Sequence, residues 1–195
     1  FKQKTAYEIH RWLGVQTCAL PILFCYPGAP LRKWLENLSS LNEDVDVLLT
    51  HGHAEQLNLY GQQALRLPSN LQLLSIPFVS QDEYDWVLSQ CDFNIVRGED
   101  SFVRAQLAGK PFIWHIYPQE DRAHEVKLAA FLDLYLEEAN QELRLAIIAA
   151  MTWAMPNEWF GLLDQWSAYA KAWRSLLLQK QGDGGLAARL LRFTS

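Results

Sequence analysis

The sequence predicts an α/β fold with a Rossmann-like, mainly parallel sheet followed by C-terminal helices. From residue 23 onward, short apolar runs rich in β-forming residues alternate with helix-like stretches, which is the pattern of βαβ units. After Pro118 the pattern is helical throughout. The chain has 195 residues, of which 50% are hydrophobic and 20% are charged, enough to bury the core of one domain.

Each predicted element is an apolar or amphipathic run bounded by turn or capping residues. The predicted strands are residues 23–26, 45–50, 71–78, 93–97 and 111–117. The predicted helices are residues 31–41, 81–91, 101–109, 121–138, 141–155, 158–179 and 186–193, with a polar stretch at 53–63. Ser80 stands three residues before Glu83, the spacing of a capping box, and Gly109 stands where a helix should stop.

Composition and charge exclude several classes of function. No apolar run approaches the roughly 20 residues that span a bilayer, and the start lacks the order of a signal peptide, so we expect a cytoplasmic protein without a membrane partner. The formal net charge is −5, which argues against nucleic acid as a partner. Cys18, Cys25 and Cys91 are too irregularly spaced for a disulfide framework or a zinc site, so we expect reduced thiols.

Two short motifs resemble metal sites, and we expect neither to bind metal. His51 and His53 have no third ligand at a useful spacing. Asp44 and Asp46 imitate a D-x-D motif but lie at the start of a strand, the wrong end for a ligand site in a parallel sheet. His115 lies within an apolar strand, where we expect a hydrogen-bonded core residue rather than a ligand.

Polar residues follow the fourth predicted strand, at the end where ligands bind in such sheets. Gly98 permits a tight turn, and Asp100 or Ser101 can cap the helix that follows. Free N–H groups at the start of that helix suit a pyrophosphate, while the carboxylates of Glu99 and Asp100 suit sugar or ribose hydroxyls, with Arg97 as their charge partner. The alternative is a simple helix cap with a solvated acid beside it.

Residues 97–119 (RGEDSFVRAQLAGKPFIWHIYPQ), preceded by IPFVSQ at 76–81, resemble the C-terminal domain of the elongation factor P arginine rhamnosyltransferases. The resemblance extends over residues 23–195. It implies the C-terminal domain of a GT-B glycosyltransferase, an inverting and metal-independent enzyme without a cofactor. The implied donor is dTDP-rhamnose, held by this domain, and the implied acceptor is an arginine of translation elongation factor P.

The resemblance also implies a set of donor-binding residues. They are Phe24, Tyr26, Phe78, Gln81, Tyr84, Arg97, Glu99, Asp100, Ser101 and Tyr117. Phe78 corresponds to a ring that stacks on thymine, and Tyr84 stands where the family pattern has Phe. The family's general base lies in the N-terminal domain, so we expect no catalytic residue in this chain, apart from an assisting role for Glu99, and no transfer by this chain alone.

The first 22 residues resemble a translated sequencing adapter. The resemblance is carried by two blocks, FKQKTAYEI and GVQTCALPI, at either side of a short variable gap. We therefore interpret residues 1–22 as not native and residues 23–195 as a nucleotide-sugar-binding domain whose N-terminal partner domain is missing.

Two other functions remain open from the sequence. One is a GT-B transferase with another nucleotide sugar, since this fold hosts many donors. The other is a Rossmann-like interaction domain without a ligand, whose signature would be solvent-exposed Trp on one helical face. Helical spacing in the Trp-rich residues 153–173 favours core packing instead.

Overall fold

Five parallel strands form one sheet in the computed structural model, which describes residues 20–38, 41, 43–50, 69–154 and 161–181. In chain order the strands are β1 (Pro21–Leu23), β2 (Val45–Leu49), β3 (Leu71–Ser75), β4 (Phe93–Arg97) and β5 (Phe112–His115). Their order across the sheet is β3-β2-β1-β4-β5. The path of the chain reverses between β1 and β4, and in such sheets the ligand crevice opens beyond the carboxyl ends of these two strands.

Six helices accompany the sheet within the described ranges. They are α1 (Leu31–Leu38), α2 (Gln81–Gln90), α3 (Gly98–Ala108), α4 (Ala123–Tyr135), α5 (Gln141–Met151) and α6 (Leu163–Gln181). The α/β prediction is confirmed, and β4 has the bounds predicted for it. The other elements differ from their predicted bounds by one to several residues, as expected for helix ends that fray.

The predicted first strand is displaced, because the observed β1 begins at Pro21 and ends at Leu23. The backbone N–H of Phe24 still donates to the Ile95 carbonyl at 2.8 Å, so pairing with β4 continues one residue further. Leu20, Pro21 and Ile22 belong to the adapter-like segment, yet they are buried and extend the centre of the sheet. Pro at the first strand position removes no needed donor. That residues 1–22 are not native stays a prediction.

Local capping signals position the two helices nearest the crevice. The Ser80 side chain accepts from the Glu83 N–H at 3.3 Å, and Glu83 accepts from the Ser80 N–H at 2.8 Å, which confirms the capping box of α2. Gly109 ends α3 in the left-handed region with φ 68°, as predicted from the sequence.

An aromatic cluster fills the space between the sheet and the C-terminal helices. The Trp114 ring stacks on Phe102 at 3.9 Å between centroids, and Phe131 packs edge-on against Phe102. Trp166 and Trp173 are buried, which confirms core packing for these two and contradicts an exposed Trp face among the described helices. Cys25 and Cys91 are both buried.

Three predicted segments lie outside the described residues: the remainder of the adapter-like stretch at 1–19, the polar stretch at 53–63 and the helix at 186–193. His51 and His53 are also outside them. None of the helices that the structure describes is long and apolar enough to cross a membrane.

Candidate functional site

A cleft of about 220 Å³ opens at the carboxyl end of the sheet. It is formed by the residues after β1, β2 and β3 together with the first turns of α2 and α3. Its lining residues are Phe24, Thr50, Ile76, Pro77, Phe78, Val79, Ser80, Gln81, Tyr84, Asp100, Ser101 and Arg104. The cleft is therefore assembled where the topology of the sheet predicts a ligand crevice.

The cleft contains most of the residues singled out from the sequence. Those that line it are Phe24, Phe78, Gln81, Tyr84, Asp100 and Ser101. Phe78 is 82% exposed, which is unusual for a large apolar side chain. Tyr26, Arg97, Glu99 and Tyr117 do not line the cleft.

Three of those four residues, Tyr26, Arg97 and Tyr117, lie beside the cleft. Together with Phe24 they form a group that we call the aromatic side. The Arg97 guanidinium carbon lies 4.5 Å from the centroid of the Phe24 ring and 5.0 Å from that of Tyr26. Tyr26 and Tyr117 meet edge-on at 5.2 Å between centroids. Phe24 thus belongs both to the lining of the cleft and to the aromatic side, and it connects the two. Glu99 is exposed, at the start of α3.

Arg97 has no carboxylate partner among the residues that the structure describes. Its Nη1 donates to the Cys25 carbonyl at 3.4 Å, a long hydrogen bond, and its plane is held by the two rings. The expectation that Arg97 pairs with Glu99 or Asp100 is wrong. Arg97 ends β4 in extended conformation, and its guanidinium contacts the residues that follow β1.

Arg104 is the actual partner of Asp100, in a group that we call the ion-paired side: Asp85, Asp100 and Arg104. Its Nε donates to Asp100 Oδ2 at 2.7 Å and its Nη1 donates to Asp85 Oδ2 at 2.8 Å. Hydrogen bonding to Asp100 first, and to Asp85, raises the pKa of Arg104 above its usual range. Arg104 is therefore part of the polar wall of the cleft and does more than solvate the helix.

Gln106, two positions further along α3, is buried rather than solvated. Its side chain is buried against α6, where the Trp173 Nε1–H donates to Gln106 Oε1 at 3.0 Å. A buried indole N–H needs such an acceptor, so Gln106 fixes the packing of α3 on α6.

The first turn of α3 begins at Gly98, three residues before the helix predicted from the sequence. Asp100 and Ser101 therefore do not cap it, and Arg97 at the N-cap gives no side-chain cap bond. The N–H groups of Gly98, Glu99 and Asp100 consequently have no acceptor within the helix. Uncapped N–H groups and the helix dipole together favour an anion at this point.

The start of α3 is held in place by contacts with Trp114 and Tyr26. Trp114 Nε1 donates to the Gly98 carbonyl at 3.1 Å, and Gly98 has φ 69°, a left-handed conformation that favours glycine. A Cβ at Gly98 would lie 3.6 Å from the Tyr26 hydroxyl. The indole of Trp114 and the ring of Tyr26 thus bracket the turn.

His115 supports Tyr26 from the end of β5. The Tyr26 backbone N–H donates to His115 Nδ1 at 3.0 Å, so Nδ1 carries no proton in this arrangement. The His115 ring also meets Trp153 edge-on at 5.4 Å. The expected hydrogen bond is present, but His115 is half-buried at the end of β5 rather than in the core. The bond adds a role that the sequence did not suggest, the placement of Tyr26.

Tyr84 contributes both its ring and its hydroxyl to the wall of the cleft. Its hydroxyl is buried and has no hydrogen-bond partner within the described part of the chain. Burial raises the pKa of Tyr84 above its usual range, and the neighbouring Ser101 side chain opposes that shift in part. The ring itself contacts Phe24 edge-on at 6.0 Å.

Sequence reasoning missed Thr50 and Arg104 in the cleft. Thr50 follows β2 directly, so the rule that ligands bind at the carboxyl ends of strands would have found it. The described residues hold no group of three or more His, Cys, Asp or Glu side chains suited to a metal ion. Asp44 and Asp46 lie at the amino end of β2, on the edge of the sheet opposite the cleft.

Comparisons with known proteins agree on one family. The family described as elongation factor P (EF-P) rhamnosyltransferase EarP matches residues 2–195. The protein-arginine rhamnosyltransferase of Pseudomonas putida is 38% identical over 161 residues, covering 79% of this chain and 42% of the relative. That of Pseudomonas aeruginosa is 38% identical over 187 residues, covering 88% of this chain and 49% of the relative.

A solved structure has a similar fold. It comes from work on EarP-mediated arginine glycosylation of translation elongation factor EF-P, and it superposes with a TM-score of 0.76 at 29% identity, over 97% of this chain and 65% of that one. This chain spans about half the length of the curated relatives it matches.

Proposed function

This chain belongs to the elongation factor P rhamnosyltransferase family, and from that premise we propose that its cleft binds the nucleotide part of a rhamnosyl donor, dTDP-rhamnose. The observation that carries the proposal is that the exposed Phe78 ring and the uncapped first turn of α3 border one cleft. An aromatic face suits a base, and free N–H groups suit a phosphate. One nucleoside diphosphate would satisfy both.

In this proposal thymine stacks on Phe78, with Gln81 beside it. The amide of Gln81 offers a donor and an acceptor, as the edge of a pyrimidine requires. The pocket wall around these residues is apolar, being formed by Ile76, Pro77 and Val79. A small number of polar groups in an apolar cleft is the usual composition of a nucleotide site.

The diphosphate would lie between the start of α3 and the aromatic side. Arg97 supports this, since its charge is held by rings rather than neutralised by a carboxylate in the described structure. Tyr117 is 60% exposed and contacts Tyr26, so its hydroxyl can donate toward the same region. Arginine and backbone N–H groups stabilise a leaving diphosphate by charge-assisted hydrogen bonds.

The acidic residues of α3 would bind hydroxyl groups rather than phosphates. Asp100 borders the cleft and Glu99 lies in the same exposed first turn, where a carboxylate would repel phosphate oxygens. As acceptors, these carboxylates and the Ser101 hydroxyl suit the ribose and sugar hydroxyls of the donor.

The reaction that we propose for the whole enzyme is transfer of rhamnose to an arginine side chain of EF-P. A guanidine nitrogen attacks the anomeric carbon, the bond to the diphosphate breaks with inversion, and a carboxylate takes the proton that the nitrogen loses. No residue of this chain is assigned as that base, and Glu99 is at most an assisting group. We propose that transfer needs no metal, takes place in the cytoplasm, and does not occur with this chain alone.

Calorimetric titration of the purified chain with thymidine diphosphate, dTDP-rhamnose and uridine diphosphate tests the proposal. We expect the thymidine ligands to bind and the uridine ligand to bind more weakly. Tighter binding of the uridine ligand would favour a transferase with another donor. Absence of binding by every nucleotide would overturn the proposal and favour an interaction domain.

Rhamnosylation of EF-P gives a second readout. Incubation of the chain with dTDP-rhamnose and EF-P, followed by intact-mass measurement, should show unmodified EF-P. A mass increase of one rhamnose would refute the expected inactivity of the chain alone.

A further inference from the structure

Arg104 separates the cleft from a second groove on the outer surface of α2 and α3. The side chain of Arg104 is 19% exposed and borders both spaces. Asp100 is 72% exposed and also borders both, whereas Asp85 is 49% exposed and borders only the outer groove. Arg104 therefore connects a carboxylate inside the cleft to a carboxylate outside it.

The geometry fixes one oxygen of Asp100. Arg104 binds Asp100 Oδ2 through Nε, while Asp85 holds the same guanidinium through Nη1. A carboxylate as exposed as that of Asp100 would otherwise sample several rotamers, and ordering it would cost entropy when a ligand binds. Because the two hydrogen bonds use different nitrogens of one rigid plane, Asp85 sets the orientation in which Arg104 meets Asp100.

We propose that Arg104 and Asp85 are positioning residues that hold the Asp100 carboxylate ready to accept a hydrogen bond from a donor hydroxyl through its second oxygen, Oδ1. The inference rests on the proposed function of the cleft. It assigns a role in ligand recognition to Asp85, a side chain that does not border the cleft. Arg104 also offsets the charge of Asp100 beside the proposed diphosphate.

A double-mutant cycle with dTDP-rhamnose as the ligand tests this, with affinity measured by calorimetry and stability by thermal unfolding. We expect Asp100→Asn to weaken binding about tenfold and Arg104→Met about fivefold, as for loss of one hydrogen bond to a charged group. The double variant should bind no more weakly than Asp100→Asn alone, because Arg104 acts through Asp100.

Asp85→Asn is the decisive single variant, and Asp82→Asn is its control. Asp82 lies one turn earlier on α2, carries the same charge, and makes no ion pair in the described structure. We expect Asp85→Asn to weaken binding about twofold to threefold and Asp82→Asn to leave it unchanged, because only Asp85 orients Arg104. Arg104→Lys should restore binding in part, since an ammonium keeps the charge but not the planar fork.

Three results would overturn the proposal while leaving the proposed function intact. Additive losses in the double variant would mean that Arg104 contacts the ligand itself. Lower thermal stability with unchanged affinity in Arg104→Met would mean a purely structural ion pair. Equal effects of Asp85→Asn and Asp82→Asn would mean a general charge effect. If the unsubstituted chain binds no nucleotide, the proposed function fails and this inference fails with it.

Discussion

Arg97 and Arg104 lie seven positions apart on the same turn and helix, and their surroundings differ in kind. Arg97 is held by the faces of Phe24 and Tyr26 and has only a carbonyl to bond, among the described residues. Arg104 is held by two carboxylates at 2.7 and 2.8 Å. An aromatic ring orients a guanidinium without using its N–H donors, whereas carboxylates use both the donors and the charge.

The two arginines therefore have different roles at the rim of the cleft. On the aromatic side, no carboxylate of the described residues neutralises Arg97, so its charge remains available for an anion that arrives with the ligand. On the ion-paired side, the charge is already neutralised, so the arginine can shape the site but attracts phosphate less. We therefore expect loss of the Arg97 charge to weaken ligand binding more than loss of the Arg104 charge.

The largest effect is expected from Arg97→Met, which keeps much of the side-chain volume and removes the charge. Affinity for thymidine diphosphate should fall about tenfold to a hundredfold, the usual range for a lost charge-assisted hydrogen bond. Calorimetry gives the affinity, and thermal unfolding should show little change. An equally large fall in Arg104→Met would remove the contrast between the two arginines.

Phe78→Ala should have the next largest effect. Stacking of a base on an aromatic side chain is typically worth about 1–3 kcal/mol, so affinity for thymidine diphosphate should fall about tenfold. Stability should change little, because the ring is 82% exposed. Val103→Ala, another exposed apolar residue but outside the cleft, is the control and should bind normally.

Gly98→Ala tests whether the turn before α3 needs the left-handed backbone that glycine adopts. At φ 69° an alanine is strained, so we expect a loss of about 1 kcal/mol in the free energy of unfolding, measured with urea. Gly161→Ala, where nothing lies within 4 Å of the added Cβ, is the control. Equal stability of the two variants would show that the turn relaxes without cost.

Tyr84→Phe should give the smallest effect, and it should stabilise. The substitution removes a buried hydroxyl that lacks a hydrogen-bond partner in the described structure, which should raise the free energy of unfolding by up to about 1 kcal/mol. Affinity should stay within about twofold. A clear loss of affinity instead would mean that the Tyr84 hydroxyl binds the ligand.

Features set by nearby residues could be predicted from the sequence. The capping box of Ser80 and Glu83, the left-handed Gly109 and the bounds of β4 all follow from local spacing. The pair Asp100 and Arg104 has the i,i+4 spacing of a helical ion pair, so it is predictable from the sequence. Arg97 is nearer to Asp100 in the sequence, but in the fold it contacts the residues that follow β1 instead.

Features set by the packing of distant segments could not be predicted. Asp85 and Arg104 are 19 positions apart in the sequence, and their ion pair joins α2 to α3. The hydrogen bond from Trp114 to Gly98 joins β5 to the start of α3. The displaced β1 has the same cause, since pairing with β2 and β4 selects the buried residues 21–23 over the residues that border the cleft. Hydrophobic pattern alone does not distinguish these two choices.

The exposed ring of Phe78 has a thermodynamic consequence as well. An apolar surface that is hydrated before binding and covered afterward releases ordered water, which lowers the heat capacity of the complex. The enthalpy of nucleotide binding should therefore become more negative on warming, and this temperature slope should shrink when Phe78 is replaced by a smaller side chain. The temperature dependence of the binding enthalpy would then show whether the ligand covers the Phe78 ring.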